Sequence, residues 1–115
     1  MMVQASQEAM LKATLSPHDI HAVLPHQANA RIISAIQEAL GIERNKVYIN
    51  VDRHGNTGAA SVPLAMAEFA SGTSLRAGAN LLTVAFGGGL TWGAAVVRWA
   101  DIAAIKRERR HKMAA

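Results

Sequence analysis

The 115 residues include no cysteine, which excludes a disulfide framework, a thiolate metal site and a cysteine nucleophile. Aromatic residues make up only 4% of the chain, so alanine, valine, isoleucine and leucine must fill the core. Charged residues are 17% against 50% hydrophobic, the balance of a globular chain rather than a disordered one. A chain of this length is one domain's worth and buries roughly two-thirds of its unfolded surface. The opening MMVQASQEAMLK lacks a basic segment followed by an apolar block, so no secretory signal is expected and the cytoplasm is the expected location. From Ala77 to Val97 no residue is charged, a run long enough to span a bilayer. Gly87-Gly88-Gly89 interrupts it, however, and LLTVAF and TWGAAVV read as two buried strands around a glycine turn, with no membrane partner.

The net charge of +4 is unevenly placed. Residues 101–115 hold Lys106, Arg107, Arg109, Arg110 and Lys112 against Asp101 and Glu108, which leaves the body close to neutral. Nucleic-acid binding would rest on this basic tail alone, and solvated tails commonly have such a composition. The division expected is a domain over 1–99 and a basic tail over 100–115.

Hydrophobic spacing predicts a helix over 3–15, then a capped helical turn at Ser16-Pro17-His18-Asp19 and a short strand over 20–24 closed by Pro25. A clear helix is predicted over 28–40, with Ile32, Ile33, Ile36 and Leu40 at three-to-four spacing and Gly41 at its C-terminal stop. VYINV at 47–51 reads as a strand followed by a polar loop, and a third helix is predicted over 60–71 with Ser61 as its cap. Two antiparallel strands, 81–86 and 91–99, complete the chain. Alternating strands and helices predict an α/β fold, with a mostly parallel sheet covered on both faces. PHQAN and DRHGNTG both follow strands, and ligands in such folds gather at the carboxyl ends of strands.

Each polar feature taken singly admits two readings. His26 could serve as a general acid/base or hydrogen-bonding group near neutral pH, or be an ordinary structural histidine. Asn56, between Gly55 and Gly58, could offer its NH₂ to an oxyanion or simply bond to its own turn. The amides of Gly87-Gly88-Gly89 could cradle a carbonyl or phosphate oxygen, or the glycines could serve a tight hairpin. His18, His21 and His54 do not make a zinc ligand set, and no metal is expected.

Taken together and in order, PHQAN, RIISA, DRHGNTGAASVPLA and AFGGGLTWGAAVVRW resemble the C-terminal half of a β-ketoacyl-acyl carrier protein synthase III, over residues 3 to 99. The resemblance implies the thiolase fold, a three-layer α/β/α arrangement of two similar halves, here with an antiparallel last strand and the first edge strand missing. In that family the N-terminal half supplies a cysteine that takes an acyl group from coenzyme A. The C-terminal half supplies a histidine and an asparagine that bind the malonyl thioester and stabilise the enolate left by decarboxylation. Matched by motif, these are His26 and Asn56. Gly88 matches an oxyanion-hole residue, Phe86 lies beside the malonyl site, Asn29 matches a pantetheine contact and Arg31 a carrier-protein docking residue. Glu38 and Ala39 stand where the family often has docking lysines.

The resemblance implies no resident cofactor; the substrates would be coenzyme A and acyl carrier protein thioesters. Without a cysteine the chain supplies the His/Asn half-site only and is not competent alone in the decarboxylating condensation. The alternative is a non-catalytic module that homodimerises or pairs with a separate N-terminal half.

Overall fold

The computed structural model describes residues 1–115, the side chains of Ile102 and Ala104 excepted. Helix α1 (Met2–Lys12) is followed by strand β1 (Ala22–Pro25), helix α2 (Ala30–Leu40) and the single helical turn α3 (Val51–His54). Helix α4 (Ser61–Gly72), strands β2 (Asn80–Gly87) and β3 (Thr91–Arg98) and helix α5 (Ile102–Ala114) complete the order. The sheet runs β1-β2-β3, with β1 and β2 parallel and β3 antiparallel to β2. The charge-free stretch is thus the β2–β3 hairpin, and no helix among the described residues is long and apolar enough to cross a membrane.

Strand alternation sorts the core into two layers. Val23, Leu82 and Val84 face one way, where Met10 of α1 and Ile36 and Leu40 of α2 pack on them. Ala22, Leu24 and Leu81 face the other way, against Met66 and Phe69 of α4. The α/β/α sandwich follows, with the four residues of β1 all buried between its layers.

Local chemistry sets the helix ends. α1 stops at Lys12, short of the expected Leu15, because Thr14 takes a left-handed φ of 59° and lets the Leu15 amide reach back to the Met10 carbonyl at 2.9 Å. α2 begins at Ala30 rather than Ala28, since Asn29 is extended and its side-chain oxygen accepts the Ile32 amide at 3.0 Å. Gly41, at φ 63°, closes the helix where expected. Ile32, grouped with the apolar stripe by spacing, is instead 38% exposed. Asn29→Ala should cost about 1 kcal/mol of stability through loss of the cap, read as a lower urea midpoint at unchanged slope. An unchanged midpoint would show that the cap contributes nothing.

Two expectations fail. The strand over 47–51 does not form: it is reduced to a parallel bridge between Val47 and Val23, with the Tyr48 amide bonded to the Val23 carbonyl at 2.9 Å. A proline at position 25 has no N–H to continue a ladder, and a side chain takes over instead, as described below. Ser61 is not a cap but lies inside the helical region (φ −59°, ψ −53°), because the turn Gly58–Ala60 leads directly into α4 and Ser61 is engaged elsewhere.

Candidate active site

At the carboxyl ends of β1 and β2 lies an open cavity of about 410 Å³, lined by His26, Gly58, Val62, Phe86, Gly87 and Trp92 among others. His26 directly follows β1, and its amide donates to the Val84 carbonyl at 2.7 Å, which extends the pairing with β2 past Pro25. That bond fixes the backbone from which the half-buried imidazole projects. Phe86, two residues beyond Val84 on β2, shares the cavity with it.

The remaining expected residues are placed differently. Gly88 is exposed in the hairpin turn; the cavity reaches Gly87 and does not include Gly88. No positive φ requires glycine at 88, and a Cβ there would meet nothing within 4 Å. Asn56 is exposed in the loop leading to the cavity wall at Gly58, and its side-chain oxygen accepts the Gly58 amide at 3.0 Å. Glycine is needed on both sides of it, at φ 67° for Gly55 and 61° for Gly58. Asn29 caps α2, and Arg31 is exposed in the first turn of the same helix. His18 and His21 lie away from this site, in a groove of about 670 Å³ at the amino ends of β1 and β2.

The structure adds two anchors that the motifs did not single out. Gln27 is 1% exposed, yet its carboxamide makes four bonds. Its nitrogen donates to the carbonyls of Pro25 at 3.0 Å and Tyr48 at 3.1 Å; its oxygen accepts the amides of Asn50 at 2.8 Å and Val51 at 3.0 Å. Its own backbone amide donates to the Ser61 hydroxyl at 2.6 Å. The side chain thus joins β1 to the 48–51 segment in place of the missing strand ladder, and the backbone amide of the same residue ties both to the start of α4.

Glu68 on α4 is the second anchor. One carboxylate oxygen accepts from the Tyr48 hydroxyl at 2.9 Å, the Asn50 carboxamide at 3.1 Å and Arg53 Nη2 at 2.8 Å. The other oxygen meets the Nε2 of His54. Bonds from Asn50, then His54 and Tyr48, hold this carboxyl down at about 2, below its ordinary 4.5. Burial, with the neighbouring Glu68 carboxylate, pushes the Tyr48 phenol up, so it remains a donor.

A depressed carboxyl stabilises the fold fully above its unfolded value of 4.5, and that contribution is lost as pH falls toward about 2. The stability advantage of wild type over Glu68→Gln should therefore be constant above 4.5 and vanish by about 2, as read from thermal midpoints across pH. An advantage unchanged down to that acid limit would contradict the network.

Residues 10–99 match the family of 3-oxoacyl-[acyl-carrier-protein (ACP)] synthase III C-terminal domains. The chain belongs to this family. Among similar proteins, the β-ketoacyl-[acyl-carrier-protein] synthase III of Roseiflexus sp. (strain RS-1) is 52% identical over 98 residues, 85% of this chain and 30% of that protein. The corresponding synthase of Clostridioides difficile (strain 630) is 47% identical over the same shares. Among solved structures, the 3-oxoacyl-[acyl-carrier-protein] synthase III of Aquifex aeolicus VF5 superposes with a TM-score of 0.83 at 43% identity, over 85% of this chain and 32% of that one. The synthase III of Thermus thermophilus gives 0.83 at 50% identity, over 86% and 31%.

The chain therefore spans about 30% of the length of these curated synthase III relatives. Its family match ends at residue 99, and α5, whose described residues are all exposed, lies beyond it. The synthase III match takes in both the His26 cavity and the Asn56 loop.

Proposed function

We propose that the chain supplies the histidine and asparagine half of a decarboxylating thioester condensation site. The observation that carries this reading is the cavity at the strand ends, in which His26 and Phe86 converge beside the Asn56 loop within the synthase III family match. The malonyl thioester carbonyl enters this cavity, where the His26 imidazole and the Asn56 carboxamide donate hydrogen bonds to it. Preorganised donors of this kind stabilise charge that develops on the oxygen as carbon dioxide leaves. Gly88, a glycine that neither backbone angle nor crowding demands, leaves the hairpin turn open to a thioester oxygen.

Coenzyme A and acyl carrier protein thioesters are the proposed substrates. Asn29 would meet the pantetheine arm and Arg31 the acidic carrier protein. Condensation itself needs an acylated nucleophile, and this chain has no cysteine to provide one. The reaction accessible to the chain alone is decarboxylation of a malonyl thioester.

A partner-binding module is the second reading. It is favoured by the outer edge of β3, which pairs with no strand among the described residues, and by Leu90 and Trp92 beside it at 63% and 45% exposure. The experiment that separates the two is release of CO₂ from malonyl-coenzyme A by the purified chain. The catalytic reading expects turnover that disappears in His26→Ala. Equal release by wild type and variant would remove that reading and leave the module.

A further inference from the structure

The Asn56 loop has little to hold it in place. α3 is a single turn with no buried residue and no side-chain cap, and the turn beyond it contains two glycines at positive φ. Such a segment carries high conformational freedom, and orienting a catalytic carboxamide requires that freedom to be removed. Packing does not remove it here, because residues 52–56 are all exposed.

Glu68 contacts four side chains of this one segment: Tyr48, Asn50, Arg53 and His54. The last of them lies two residues before Asn56. On its other side the loop runs through Gly58–Ala60 into α4, the helix that carries Glu68. Side-chain bonds on one side and the chain itself on the other therefore close a ring from His54 through Asn56 and Ser61 to Glu68. Gln27 fixes the start of the segment at Tyr48, Asn50 and Val51, while Glu68 reaches past it to the residues next to the turn.

We propose that Glu68 is a positioning residue for Asn56: its carboxylate latches the 48–54 segment onto α4 and so sets the carboxamide at the mouth of the His26 cavity. This rests on the reading of His26 and Asn56 as a thioester half-site. Glu68 touches no substrate and acts through the loop. Its negative charge is part of the device, since Arg53 is cationic and charge-assisted bonds are the stronger and shorter ones. A glutamine at 68 would keep an acceptor oxygen and lose that charge.

The test combines turnover with loop geometry in the full chain. Glu68→Ala should lower CO₂ release from malonyl-coenzyme A by roughly 10- to 100-fold, with Glu68→Gln between it and wild type. In an Asn56→Ala background the same substitution should change turnover less than about twofold, because a residue that acts only through Asn56 has nothing left to position. The Gly55 and Gly58 amide resonances should shift in Glu68→Ala while those of Val23 and Leu82 stay fixed, which shows that the sheet remains folded. Equal losses with and without the Asn56 carboxamide, or unmoved Gly55 and Gly58 resonances, would overturn the proposal. If wild type releases no CO₂ the half-site reading fails, and the amide shifts alone then decide for or against the latch.

Discussion

Gln27→Leu should lower the stability of the folded chain by about 3 to 5 kcal/mol. Leucine matches glutamine closely in volume, so little of this is a cavity effect. The cost arises because four backbone groups lose their partner at once: the carbonyls of Pro25 and Tyr48 and the amides of Asn50 and Val51. Pro25 and Asn50 are buried, and a buried backbone group left unmade costs roughly 1–3 kcal/mol. Removing the desolvated carboxamide itself offsets part of the sum. Against a total of roughly 5–15 kcal/mol for a domain, this is a large fraction. Urea unfolding of the two proteins gives the difference directly, and hydrogen exchange should show faster opening at Asn50 and Val51 than in the β2–β3 hairpin. A loss below about 1 kcal/mol would mean that water satisfies these groups and that the hub is not what holds the segment.

Asn56→Ala should reduce CO₂ release from malonyl-coenzyme A by roughly 100- to 1000-fold, the usual cost of deleting one oxyanion donor. Asn56→Asp should do nearly as badly, and the reason lies in the turn. The Asn56 side-chain oxygen already accepts the Gly58 amide at 3.0 Å, which leaves the NH₂ end of the exposed carboxamide uncommitted among the described residues. Aspartate keeps the acceptor and therefore the turn, but offers no donor to a developing oxyanion and adds a negative charge beside it. The two readings of this residue, a turn asparagine and an oxyanion donor, are thus compatible: the turn bond determines which end of the amide faces outward. Retention of near-wild-type release by Asn56→Asp, with loss only in Asn56→Ala, would assign the residue to turn structure alone.

Much of the fold was legible because the signals were local. The α2 stripe of Ile33, Ile36 and Leu40, the Gly41 stop, the Ser16–Asp19 capping box and the glycine hairpin each depend on residues a few positions apart, and all formed. Local groups shifted only the ends of α1 and α2, whereas the strand and the cap that failed did so where a distant group decided the matter. VYINV has strand-forming residues, yet beyond the Val47 bridge its backbone bonds go to the Gln27 side chain, at a sequence separation of 21 to 24. Ser61 has the residue type of a cap, but its hydroxyl serves Gln27 from 34 positions away. Gln27 stood inside the PHQAN motif, and that position directly after a strand end was the one available hint. Glu68 lies in α4, a largely apolar helix that carried no such hint.

For the candidate site, the sequence by itself determined the residue types and their order: an imidazole and a phenyl group at strand ends, and a carboxamide flanked by glycines. It also determined the family through the succession of motifs, because motif spacing is a property of the chain alone. Only the tertiary structure decided which of these residues share a cavity. His26 and Phe86 meet because β1 and β2 pair in parallel with Pro25 opposite Val84, a register set by burial of both strand faces. Only the tertiary structure, too, showed what holds the 48–54 segment that leads to Asn56, since a carboxylate on α4 and a carboxamide after β1 reach it through space and leave no periodic trace in the sequence.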